Sequence, residues 1–276
     1  MSTIIIIILL SLVASLGTGL GGLLAVLRMP GRRFYGFLMG LTGGVMISLS
    51  FLELVNKAWE LKGFWTATIG FGAGAFFMLA IDMLIPHIRF GETETRDVQT
   101  PVIQETSAHS FHGRHRYGKG QPDQISDKRL YKTGLLLALG ITIHNLPEGI
   151  AVGAGYMHAP QFGILIAMAI LLHNIPEGIA TALPLYKSGM DKWKAVRIAL
   201  FSGLVEPVGA IVAAVFLDVF QILVPASLAF AGGVMMFITL DELIPAAREH
   251  GHQHSTAVGI IFGALFVFLL SGLLGV

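Results

Sequence analysis

The sequence predicts an all-α polytopic membrane protein of eight transmembrane helices in a 3+2+3 arrangement. Helices 1–3 and 6–8 form an inverted repeat around central helices 4 and 5. Three observations carry this expectation. Hydrophobic residues make up 54% of the 276-residue chain, charged residues only 13%, and mean hydropathy is +0.74, whereas soluble domains carry about a quarter charged residues. Eight apolar runs reach the roughly 20 residues that cross a bilayer: 4–27, 34–56, 64–87, 130–156, 162–186, 195–217, 222–247 and 255–274. Two stretches also repeat each other, GGVMISLSFLEL (43–54) and GGVMMFITLDEL (232–243), on predicted helices of opposite direction. Similar sequence in opposite orientations is the trace of an inverted-topology repeat, against chance agreement in so apolar a chain.

The remaining composition excludes function classes. A net charge of +1 gives no argument for nucleic acid or an acidic partner. There is no cysteine, so disulfides, thiolate ligands and thiol nucleophiles are absent together. The chain reads as a single transmembrane domain, 1–276.

Helix 1 has no basic residue before its apolar run, and the run from Ile4 to Leu27 is longer than a signal-peptide core, so it reads as a span. Arg28, Arg32 and Arg33 separate it from helix 2, which ends near Glu53. Lys57 and Lys62 follow, then helix 3, which closes on DMLIPH with Asp82 and His87. The connection from Arg89 to Lys132 holds eight basic residues, and Lys187, Lys192, Lys194 and Arg197 lie between helices 5 and 6. Arg248 stands between helices 7 and 8. Lys57 and Lys62 are therefore the only basic residues on the other side. Basic connections face the cytoplasm, so both termini are expected outside.

Helices 4 and 5 carry the chemistry. HNLPEG occupies 144–149 and HNIPEG occupies 173–178. Positions i and i+4 share a helix face, which aligns His144 with Glu148 and His173 with Glu177. Asn145 and Asn174 stand three residues before the glutamates and reach the same side. Each proline removes a backbone donor and crowds the carbonyl four residues earlier, so a kink is expected at Pro147 and Pro176. Glu206, in SGLVEPVGA of helix 6, sits at similar depth beside another proline. A charge at the bilayer centre costs about 2.5–3.5 kcal/mol, so three unpaired carboxylates cost on the order of 9 kcal/mol. No lysine or arginine lies mid-span to offset them. A divalent cation would do so. Imidazole, carboxylate and amide oxygen without sulfur suit zinc, iron(II), manganese and cobalt without selecting sharply among them. The bland alternative is interhelical hydrogen bonding that holds the bundle together; two near-identical copies plus a third glutamate weigh against it.

With the two HNxPEG copies and the following Glu-Pro, the sequence resembles the ZIP (Zrt/Irt-like) divalent-metal transporters over its whole length, nearest the bacterial ZupT and GufA-like branch. The resemblance implies movement of metal into the cytoplasm across the cell (inner) membrane, with the metal as substrate and no organic cofactor. It implies a binuclear centre. His144, Glu148, His173 and Glu177 match its first position; Asn145, Asn174 and Glu206 match its second, with Glu148 and Glu177 bridging. It further implies movement of helices 1, 4, 5 and 6 against helices 2, 3, 7 and 8. Its last implication is a homodimer through helices 3 and 8. The glycines of those helices, Gly70/Gly74 and Gly259/Gly263, read in themselves as packing within the chain.

Glu53 near the outer end of helix 2, and Asp82, His87, Asp241 and Glu242 toward the inner ends of helices 3 and 7, read as waypoints on a transport path. The alternative is snorkelling of helix-end side chains to the interface. The polar segment 89–129, with His109, His112 and His115, reads as a disordered loop, and its histidines, like His250, His252 and His254, as loose metal holders at most. An intramembrane zinc-dependent hydrolase remains the competing function. It would need a catalytic base and an open zinc position, yet HExxH is absent from the sequence. A metal sensor would want a structured output domain, for which 89–129 is too short and polar.

Overall fold

The computed structural model describes residues 3–28, 30–84, 127–219 and 221–276, and among them every regular element is helical. Eight helical runs are long and apolar enough to cross a bilayer. They are α1 (Thr3–Leu27), α2 (Arg32–Lys62), α3 (Phe64–Leu84), α4 (Lys128–His158) and α5 (Pro160–Lys187). The sixth, α6, comes in two halves, Lys192–Gly203 and Glu206–Val219. Then α7 runs through Val224–Ile238, Thr239–Leu243 and Ile244–His250, and α8 is Gln253–Leu274. His87, His109, His112 and His115 lie outside the described residues, as does most of the segment 89–129.

Pro147 and Pro176, where kinks are expected, lie inside helices that continue through them. A break falls in α6, at Leu204 and Val205. Pro207 has no N–H to offer the carbonyl of Gly203, four residues back, so the first half ends at Gly203. The second half begins at Glu206, with Pro207 in its first turn, where a missing N–H leaves no bond unmade.

Two further departures from α geometry fall on the repeated stretches. Leu49–Val55 within α2 and Thr239–Leu243 within α7 are π-helical. The first carries Glu53 and the second Asp241 and Glu242. Such widened turns are rare and concentrate at functional sites. The connections follow ordinary turn chemistry. Gly63 adopts φ +81 between α2 and α3, a conformation that suits glycine. Asp191 caps α6 by accepting from the backbone N–H of Trp193 and Lys194 at 3.0 and 3.1 Å.

Packing pairs α1 with α5 and α6, α4 with α5 and the second half of α6, α2 with α8, and α3 with α7. The first two pairings form one group, the last two another, and the groups meet where α4 crosses α7 and α5 crosses α2. Small residues let the backbones touch. A Cβ on Gly178 would lie 1.9 Å from the Thr18 carbonyl oxygen of α1. The glycines of α3, Gly70 and Gly74, face Ala226, Ala229 and Phe230 of α7, while Gly259 and Gly263 of α8 face Phe37 and Leu41 of α2. Both G-x-x-x-G pairs thus serve packing within the chain. On their outer faces α3 and α8 expose Trp65, Ile69, Phe76, Ile261, Phe268 and Leu269, an apolar surface suited to lipid.

Candidate metal centre

All seven side chains singled out from the sequence are buried, none more than 1% exposed: His144, Asn145, Glu148, His173, Asn174, Glu177 and Glu206. The paired helices α4 and α5 cross-match their two motifs. His173 Nε2 lies 3.1 Å from Glu148 Oε1, a buried hydrogen bond. His144 Nε2 lies 3.2 Å from Glu177 Oε1 without the alignment of a hydrogen bond. Donor atoms of His144, Glu148 and Glu177 all fall within 4.8 Å of one another.

The glycine that ends each motif explains how the neighbours come so near. Gly149 closes the first copy, and a Cβ there would lie 2.0 Å from the Glu206 carbonyl oxygen. Gly178 closes the second copy against α1, as described above. Only glycine admits α6 and α1 at such separations, and α6 brings Glu206 with it.

The asparagines act through their amide nitrogens. Asn145 Nδ2 donates to the Ser202 carbonyl at 3.1 Å. That carbonyl faces the break of α6, where the regular helix no longer supplies a donor. Asn174 Nδ2 donates to the Ala14 carbonyl of α1 at 3.1 Å and to the Glu206 carboxylate. Both side chains therefore keep their carbonyl oxygens free. Thr42 of α2 donates to the backbone carbonyl of His173 at 3.3 Å, tying the other helix group to the same spot.

Among the described residues, Asn145 Oδ1, Asn174 Oδ1, Glu148 Oε2, both oxygens of Glu177 and Glu206 Oε2 are buried without a hydrogen-bond partner. Buried polar atoms are satisfied in more than about nine cases in ten, so this concentration of orphaned acceptors calls for a donor of charge. No buried lysine or arginine is present among the described residues. A divalent cation accepts from carboxylate, amide oxygen and imidazole together, and the donor set fits one.

The remaining path residues divide. Glu242 is 3% exposed with Oε2 unpartnered, and it lies within electrostatic range of His144, Glu177, Asp82 and Asp241. Asp241 itself is exposed. Glu53 is 8% exposed and belongs to a different neighbourhood, with Ser271, Lys57 and Glu60. Lys57 and Glu60 pair at 2.8 Å. Reasoning from sequence missed the backbone contributions of α1 and α6, the carbonyls of Ala14 and Ser202. Pro207 was the signal that could have revealed the second, since it removes the donor that would continue α6.

Comparison with known proteins bears on the same features. The family model described as ZIP Zinc transporter matches residues 87–271. The chain is 38% identical over 275 residues to the zinc transporter ZupT of Oceanobacillus iheyensis, covering 95% of this chain and 96% of that protein. It is 40% identical over 284 residues to ZupT of Chlorobium phaeovibrioides, with 97% of each covered. The plant zinc transporter ZTP29 of Arabidopsis thaliana is 36% identical over 257 residues, 92% of this chain and 89% of that protein. These relatives carry the names of transporters, not hydrolases, so the competing enzymatic reading is set aside. Eight bilayer-length helices, a buried histidine–carboxylate centre and full-length likeness converge on one conclusion: the chain belongs to the ZIP zinc transporter family, in its ZupT branch.

Proposed function

We propose that the chain carries zinc into the cytoplasm through the α4–α5 centre. The same ligand chemistry admits iron(II), manganese and cobalt. The observation that carries the assignment is the set of orphaned, buried oxygens at Glu148, Glu177, Glu206, Asn145 and Asn174, gathered with His144 and His173 where, among the described residues, no lysine or arginine is buried. The names of the relatives support zinc as the cargo.

Two positions share the centre. His144, Glu148, His173 and Glu177 form the first; Asn145, Asn174 and Glu206 form the second, with the Glu148 and Glu177 carboxylates common to both. Support comes from the bond between Asn174 and Glu206, which groups the second set, and from the His–Glu pairs, which group the first. Glu53 serves entry, and Glu242 with Asp82, Asp241 and His87 serves exit.

The distribution of basic residues supports an orientation with both termini outside and the membrane as the cell (inner) membrane. The matched π-helical stretches in α2 and α7 support the inverted repeat of α1–α3 and α6–α8 around α4 and α5. The two packing groups, α1, α4, α5, α6 and α2, α3, α7, α8, are the natural moving parts. The proposal includes a homodimer through α3 and α8, whose outer faces, the least buried of the eight, leave room for a second copy as well as for lipid.

Zinc uptake into proteoliposomes tests the assignment. The parent should show saturable uptake, and His144→Ala and Glu177→Ala should abolish it while remaining folded and inserted. Undiminished uptake by both variants would sink the assignment of the centre.

A further inference from the structure

Buried hydroxyls in helices ordinarily bond back to a carbonyl of their own preceding turn. Ser15, Thr18, Ser202 and Thr239 all do so, at 2.7–2.9 Å. Three buried hydroxyls lack a hydrogen-bond partner among the described residues: Ser11, Ser50 and Thr181. Ser11 lies on α1 and Ser50 on α2. Thr181 alone belongs to α5, four residues after Glu177, so it stands on the same helix face as that carboxylate. It is fully buried. At about 1.5 Å per residue it lies roughly 6 Å beyond Glu177, toward Lys187, the end proposed above as cytoplasmic.

The register of α4 and α5 fixes what faces it. Glu177 stands against His144, and Leu185 against Gly134. Thr181 falls midway between these contacts, across from the turn that holds Leu137, Ala138, Gly140 and Ile141, all buried. None of their side chains can bond a hydroxyl. The adjacent face of α5 is taken by α1, which packs its Thr18 and Gly22 backbone on Gly178 and its Gly22 near Ala182. Thr181 therefore stands on the helix face that leads away from the metal centre, its hydroxyl buried without a hydrogen-bond partner among the described residues.

Resting on the proposed transport reading, we propose that Thr181 is the first oxygen met by a divalent cation as it leaves Glu177 for the cytoplasm, a step in the path rather than a member of the centre. Its chemistry suits that place. A conduction path must hold an ion well enough to admit it and weakly enough to release it. A neutral hydroxyl can ligate the ion or anchor one of its waters, whereas another carboxylate would extend the trap formed by Glu148, Glu177 and Glu206. The residues that follow, Glu242 with Asp82 and Asp241, belong to the other helix group, so Thr181 would serve the ion while it is still carried by α5.

The test separates leaving from binding. Thr181→Val keeps the shape and removes the hydroxyl; Thr181→Ser restores it. Zinc binding to the purified protein at equilibrium should be unchanged in Thr181→Val. Its maximal uptake rate in proteoliposomes should fall about fivefold to tenfold, the scale of one neutral hydrogen-bonding group, and Thr181→Ser should recover most of it. If Thr181→Val fails to fold, Thr181→Ala takes its place against the same serine control. Uptake at the parental rate without the hydroxyl overturns the inference, as does loss of zinc binding in step with rate, which would make Thr181 part of the centre's structure. A parent that takes up no zinc overturns the proposed function itself, and this inference with it; an active parent with a fully active valine variant overturns the inference alone.

Discussion

Asn174 joins three helices through one amide: it rides on α5, donates to the Ala14 carbonyl of α1, and donates to the Glu206 carboxylate of α6. Its nitrogen is thus committed to protein and its oxygen left for the cargo, and Asn145 divides its atoms in the same way through Ser202. That division gives Glu206 a distinct place. It contacts Asn174 rather than either histidine, and it stands within electrostatic range of Glu148 and Glu177. Glu206→Gln keeps an oxygen for Asn174 and removes one negative charge from a buried group of three carboxylates. Purified Glu206→Gln should hold one zinc where the parent holds two, with the first position retained. The measurement is the metal-to-protein ratio after equilibration and desalting. Equal ratios in variant and parent would reduce Glu206 to a packing residue and end the two-position reading.

At the scale of elements, the centre exists because α6 and α1 approach α4 and α5 over glycines. A methyl group at 149 would sit 2.0 Å from the backbone oxygen of Glu206, and a backbone atom cannot swing aside as a flexible side chain can. Gly149→Ala should therefore push α6 away, carrying Glu206 off the centre. We expect a stability loss of about 1–3 kcal/mol, the usual range for overpacking, together with weakened zinc binding. Thermal unfolding and zinc titration of the same preparation check both; an Ala variant that melts and binds like the parent would show that the helices can part without consequence.

How far these elements could be read beforehand follows from where their causes lie. The helices were legible as apolar runs, because a bilayer demands length and hydrophobicity from each segment by itself. The buried cluster was legible because most of its side chains sit in two local, nearly identical motifs. The break in α6 was not, although Pro207 stood in plain view, because the broken end depends on Asn145, 57 residues away, to satisfy the Ser202 carbonyl. The π-helical turns at Leu49–Val55 and Thr239–Leu243 left no local mark beyond the repeat itself.

At the scale of the whole molecule, direction of transport depends on which end of the bundle faces the cytoplasm, and that rests on few charges. Lys57 and Lys62 mark one end; Lys187, Lys192, Lys194 and Arg197 mark the other. An excess of basic residues holds a connection on the cytoplasmic side during insertion, so the second end should face inward, and with it Thr181 and the Glu242 neighbourhood. The chain contains no cysteine, which makes it its own background for labelling. Lys62 and Lys192 are both exposed, so a cysteine at either should be reachable from its own side. In intact cells a membrane-impermeant maleimide should label Lys62→Cys at once and leave Lys192→Cys untouched until the membrane is permeabilised. Zinc uptake by both variants should match the parent, because neither position contributes a ligand to the proposed path. The opposite labelling pattern would place the termini in the cytoplasm and turn the proposed direction of zinc flow around, since Glu53 would then lie at the exit and Glu242 at the entrance.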